Sequence, residues 1–228
     1  MTLIGRIRRS FDASFGSIVF GMEDGTVSIF GLVFGVAFSA PDSRAVLLAG
    51  ATGAVAAAVS MMAGTFLDVE STNDQAAARL TEARTHYESD PGADDQEAMG
   101  RLAAAGFTDS DAHTFLGIVS KYPGTRLKIE AAVDLGVSDA TRQNPFVQSA
   151  WMFFTDLVAA SIPVIPFAFF SLATARIVSS LVTLALLVLL GIGRARVGHR
   201  HVVPTVAETI GIATAAAAAG VGVAKLIS

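Results

Sequence analysis

Cysteine is absent from the 228 residues. That removes disulfides and thiolate metal sites, and leaves carboxylate, imidazole, amide, carbonyl and thioether as the available ligands. Charge is scarce as well: Asp, Glu, Lys and Arg make up 16% of the chain, against about 25% in ordinary soluble domains. Also missing are a His-Glu-x-x-His segment and a Ser-His-acid set in usable register, which argues against a hydrolase or any other enzyme. What is abundant is apolar: 52% hydrophobic residues and a mean hydropathy of +0.57 describe a membrane protein.

The few charges are unevenly placed. Residues 68–144 hold fourteen acidic and seven basic residues, a net of −7, while the remainder carries +3. An acidic region set in a mildly basic body suits cations and disfavours nucleic acid as a partner.

Five apolar segments, about 15–38, 45–67, 145–170, 172–193 and 203–226, each reach the roughly 20 residues a helix needs to cross a bilayer. The sequence therefore predicts an all-α polytopic membrane protein. Five transmembrane helices are expected, with a helical insert between the second and third. Pro41-Asp42 marks a tight hairpin between the first two spans, and a short turn near Phe170-Ser171 joins the third and fourth. Residues 1–14 carry Arg6, Arg8 and Arg9 ahead of an apolar stretch too long for a signal peptide, so a retained first span is expected.

Orientation follows the basic residues beside the spans. Arg6, Arg8 and Arg9 fall on the same side as Arg194, Arg196 and Arg200 if five spans alternate, and the opposite side has only Arg44, Arg176 and Lys225. The N-terminal segment, the insert and the 194–202 loop are expected in the cytosol, with Arg176 snorkelling at the outer interface.

Four acids lie inside the spans: Glu23, Asp24, Asp156 and Glu208. A carboxylate costs a few kcal/mol in lipid, so such residues usually line an ion or proton path. At the helical rise, Asp24 lies about 13 Å from the cytosolic end of its span, Asp156 about 16 Å, Glu208 about 8 Å and Met61 about 9 Å. Separate helices thus carry acids to one inner layer. On the first span Asp24, Ser28, Gly31 and Gly35 form one stripe, polar at its inner end and small beyond, which permits close helix approach. Met61, with Met62 beside it, occupies a similar small stripe on the second span. Oxygen ligands alone suit Mg²⁺ or Ca²⁺, and a thioether shifts preference toward softer, iron-like ions.

The run Ile18-Val19-Phe20-Gly21-Met22-Glu23-Asp24-Gly25, continuing through Gly31-Leu32-Val33-Phe34-Gly35-Val36, resembles the first helix of the vacuolar iron transporter family. Ser60-Met61-Met62-Ala63-Gly64, Asn144-Pro145-Phe146 and Ile162-Pro163-Val164-Ile165-Pro166 resemble further segments of that family, in order. The resemblance implies a homodimer that moves Fe²⁺, sometimes Mn²⁺, out of the cytosol in exchange for protons. It maps the family's membrane carboxylate and methionine onto Asp24 and Met61. Gly64-Thr65-Phe66 departs from it by lacking the carboxylate that usually follows the second-helix methionine. No tightly bound cofactor is expected, and Fe²⁺, Mn²⁺ or Zn²⁺ enters as cargo.

The insert is too long for a bare loop. Helices are expected over 75–89 behind Asn73 or Asp74 and broken at Pro91-Gly92, over 94–105, over about 108–121 behind the capping run Thr108-Asp109-Ser110-Asp111, and over 126–135. Pairs at one-face spacing, Glu82 with His86, Asp94 with Glu97 and Glu130 with Asp134, are candidate cation ligands, against the alternative of a solvated acidic surface. The resemblance implies that this insert captures metal.

Together these features lead to an antiporter. Asp24 and Met61, with Glu23 and Met62, are the expected metal path, and Asp24, Glu23, Asp156 and Glu208 the expected proton-coupling groups. The partners are divalent transition metal ions, protons, the lipid bilayer and a second copy of the chain. A prokaryotic inner membrane is the expected location. The competing reading is a membrane metal sensor or scaffold that does not transport.

Overall fold

The computed structural model describes residues 3–89, 91–122, 129 and 143–227. Those residues form eight α-helices: α1 (Leu3–Ser39), α2 (Ser43–Ser89), α3 (Pro91–Ala104), α4 (Asp109–Val119), α5 (Pro145–Val164), α6 (Pro166–Phe169), α7 (Leu172–Val197) and α8 (Val202–Ile227). The chain divides into two compact units, residues 1–67 with 145–228, and residues 68–144. Five helices, α1, α2, α5, α7 and α8, contain stretches long and apolar enough to cross a membrane. The fold is that of a polytopic α-helical membrane protein.

In the first unit, α1 ends at Ser39 and α2 begins four residues later. Asp42 caps the new helix, its Oδ1 accepting from the Ala45 amide at 2.9 Å. Ser43 Oγ donates to the Phe170 carbonyl at 3.0 Å, which ties this turn to the one before α7. Arg176 donates to the carbonyl of Ala37, one of the last-turn carbonyls of α1 that the helix itself leaves open. Arg176 therefore caps the end of α1.

The third span does not run unbroken to residue 170. Pro163 and Pro166 each lack an amide hydrogen, and the helix stops at Val164 before restarting as the single turn α6 with Pro166 at its first position. Ser179 Oγ on α7 donates to the Pro163 carbonyl at 2.7 Å inside the bundle.

Ile29, Val33, Val46, Ala54, Ala160, Val164 and Phe167 form the apolar centre of this unit. Lipid tails are as apolar as these side chains, so what favours the association is close packing rather than transfer from water. Gly50 provides it on α2: a Cβ there would sit 2.9 Å from Val164 and 3.0 Å from Val33.

In the second unit no cap interrupts α2 at Asn73 or Asp74, and the helix continues to Ser89. Pro91 then opens α3 rather than ending a helix alone. Thr108 caps α4 as expected, accepting from the Asp111 amide at 3.2 Å and donating to Asp111 Oδ2 at 2.6 Å. The expected helix over 126–135 lies outside the described residues, apart from Ile129.

Candidate functional site

The glycines of α1 sort by partner. Gly21 and Gly25 face α5: a Cβ on Gly21 would fall 2.5 Å from Met152 Sδ, and one on Gly25 2.7 Å from the Asp156 backbone oxygen and into its carboxylate. Gly31 and Gly35 face α8, where a Cβ would lie 3.0 Å from the Ala216 carbonyl oxygen and 2.7 Å from that of Gly220. Two glycine pairs, each at a spacing of four, thus admit two neighbouring helices against one rod.

N-terminal to the Gly31 contact, the first unit holds a cavity of about 470 Å³. Its polar lining is Glu23 and Asp24 from α1 with Arg194 and Arg200 from the end of α7 and the following turn, and Ile212 joins from α8. That turn is built to present arginine. His199 adopts a left-handed backbone, φ 49°, and the Arg200 amide reaches back to the Ala195 carbonyl at 2.8 Å, a Schellman-type end to α7.

Arg194 joins two of the sequence-predicted acids. Its Nη1 donates to Glu23 Oε1 at 3.1 Å, and its Nη2 to Glu208 Oε1 at 3.2 Å. Thr209 Oγ1 donates to the same Glu23 oxygen at 3.0 Å, and Arg200 pairs with Glu208 Oε2 at 3.0 Å. Glu23 and Glu208 are therefore held by fixed cations in this conformation. Asp24, half-buried in the same cavity, makes no hydrogen bond or ion pair to any described residue.

Asp156 is different again. It is 0% exposed, and neither carboxylate oxygen has a hydrogen-bond partner among the described residues. Met61 and Met62 are half-buried on α2 and are not part of the cavity lining. Among the described residues no group of three His, Asp or Glu side chains is placed to hold a metal ion.

In the second unit Glu82 is exposed, and Glu97 is paired with Arg101 at 2.6 Å across one helical turn. The side chains of His86 and Asp94, and the whole of Glu130 and Asp134, lie outside the described residues. A cavity of about 460 Å³ between α3 and α4 is lined by Asp95, Met99 and His113, none of which the acid-pair spacing selects. Sequence reasoning also missed the roles of Arg194, Arg200 and Thr209. Arg194 and Arg200 counted only toward orientation, and the one available hint was that Glu208 lies within reach of that basic turn.

Residues 15–225 match the VIT family. The chain belongs to that family. Its members are metal-ion transporters and not enzymes. The chain is 24% identical to a protein named vacuolar iron transporter from Centaurea cyanus over 209 residues, 91% of this chain and 85% of that one. It is also 24% identical to vacuolar iron transporter 1 from Eucalyptus grandis, over 92% of this chain and 85% of the relative. Over a shorter stretch of 87 residues, 38% of each chain, it is 37% identical to vacuolar iron transporter homolog 1 from Oryza sativa subsp. japonica.

Proposed function

We propose that this VIT-family protein exports Fe²⁺, with Mn²⁺ as a second cargo, from the cytosol in exchange for protons. The observation that supports this reading above others is Asp24: a carboxylate inside a membrane span, lining a cavity and engaged by no described side chain. Fixed arginines already neutralise Glu23 and Glu208 beside it, so Asp24 is the carboxylate open to a mobile cation. Met61 and Met62 are proposed as the soft ligands of the path, supplied when two copies of the chain associate as a homodimer. Protons exchange on the membrane carboxylates, with Asp24, Glu23, Asp156 and Glu208 as the candidate set.

The acidic insert gathers metal on the cytosolic side through the candidates Glu82, His86, Asp94, Glu97, Glu130 and Asp134. Asp95, Met99 and His113 add a carboxylate, a thioether and an imidazole around one cavity. The N-terminus and insert face the cytosol of a prokaryotic cell across its inner membrane.

A second reading is a metal sensor or scaffold without transport. It is favoured by Gly64-Thr65-Phe66, which lacks the carboxylate that usually follows the second-helix methionine. Reconstituted protein separates the two: proteoliposomes should take up Fe²⁺ against a proton gradient, and Asp24→Asn should abolish uptake. Vesicles that bind Fe²⁺ at the protein and never accumulate it would favour the sensor.

A further inference from the structure

We propose that metal and proton use different carboxylates and different helix seams: the cation enters the α1/α7/α8 cavity at Asp24, and the coupling proton is carried by Asp156 in the α1/α5 seam. The proposal deepens the transport reading and rests on it.

Asp156 sits in the least accommodating place of any acid whose side chain is described in the first unit. It is fully buried, its two oxygens find no donor among the described residues, and its carboxyl lies against the bare Cα of Gly25. A carboxylate anion in such a place lacks both solvation and a counter-ion, so the form that fits this conformation is the neutral acid. On the side facing α1 a metal ion has no room, because the backbone at Gly25 lies against the carboxyl. A proton needs none.

The surroundings carry the same assignment. Among the described residues the charge that acts on Asp156 is Asp24, which precedes Gly25 on α1. The residues α7 turns inward, Ser179, Thr183, Leu187 and Leu190, carry no charge, nor do the buried Val46, Gly50, Ala54 and Ala58 of α2. Asp156 therefore senses the occupancy of Asp24 more than any fixed cation. A divalent ion arriving at Asp24 lowers the cost of an anion at Asp156 and favours release of its proton, and departure of the ion reverses this. The balance is simple: one H⁺ forms an O–H bond on a carboxylate oxygen of Asp156 and later leaves from it, with no other bond changed. Of the four candidate carboxylates, Glu23 and Glu208 already share Arg194 as a counter-ion, which narrows the role to Asp156.

The seam also offers a way in. Along α5, Gln148, Met152 and Asp156 recur every four residues and are all buried, with Gly21 and Gly25 of α1 pressed against the last two. Toward the start of the same seam Gln148 Oε1 and Ser14 Oγ are buried with no partner among the described residues. Buried acceptors of this kind are the ones internal water serves. They place polar stations between the helix starts and Asp156, interrupted only by the flexible Met152.

The test uses full-length protein in liposomes with Mn²⁺ as the probe, in two arms: flux down a Mn²⁺ gradient at equal pH, and Mn²⁺ accumulation driven by a pH gradient alone. Asp156→Asn keeps the shape and cannot carry the proton. It is expected to lose the second arm to the level of protein-free vesicles while the first arm, even if slowed, stays above that level. Gln148→Leu, which leaves the carboxyl intact, is expected to slow the second arm only. Wild-type accumulation by Asp156→Asn under a pH gradient overturns the proposal, and so does loss of both arms, because the two routes would then not be separate. Wild-type behaviour of Gln148→Leu removes the seam as the entry route. Absence of Mn²⁺ flux in the wild-type protein would instead sink the transport reading itself.

Discussion

Gly25 of α1 and Asp156 of α5 are in direct contact, the missing side chain of one making room for the carboxyl of the other. Any Cβ at residue 25 meets both that carboxyl and, at 2.7 Å, the backbone oxygen of Asp156. Backbone cannot rotate away as a side-chain tip can. Gly25→Ala is therefore expected to destabilise the helix bundle by about 1–3 kcal/mol, visible as a lowered Tm in detergent. Gly64→Ala, where a Cβ meets nothing within 4 Å, is the matched control and should leave Tm unchanged.

Arg194 holds two carboxylates from two different helices. Arg194→Gln is expected to cost about 1–3 kcal/mol, mostly from leaving the largely buried Glu23 without a counter-ion, with only the Thr209 hydroxyl to serve it. In a double-mutant cycle with Glu23→Gln, the pair should show a coupling of about 0.5–3 kcal/mol. Additive effects in chemical denaturation would mean that the contact contributes nothing.

Ser179 reaches across the bundle to the carbonyl of Pro163, where the helix is about to break. Ser179→Ala removes one buried hydrogen bond and should lower stability by about 1 kcal/mol. Ser180→Ala, one residue on, removes only a bond within its own helix to the Arg176 carbonyl and should cost less in the same thermal measurement.

Thr108 starts α4 through the Asp111 amide and side chain. Thr108→Ala is expected to weaken the second unit by about 1 kcal/mol. Hydrogen exchange should show lost protection across Asp109–Val119, and little change in the membrane helices.

The five spans are readable from the chain because they depend on a local quantity, the length of an apolar run. The cap at Thr108 is readable for the same reason. Pro163 and Pro166 are visible, but where the third helix stops depends on which freed carbonyl finds a donor, and Ser179 is sixteen residues away. The continuity of α2 past Asn73 is harder to read, because a good cap residue competes with helix-forming neighbours, and here no Gly or Pro stands nearby to end the helix. Partners across helices are out of reach altogether. Nothing local says that Arg194 chooses Glu23 and Glu208, that Gly25 rather than Gly31 meets Asp156, or that Asp24 is left open between them.

The central claim is that Asp24 is the carboxylate available to a mobile metal ion inside the membrane. Its most direct test is Fe²⁺ flux into proteoliposomes, comparing the wild-type protein with Asp24→Asn after both are shown to unfold at the same temperature. Robust uptake by the first and background uptake by the second are the expected result. Equal rates from the two proteins would contradict the claim.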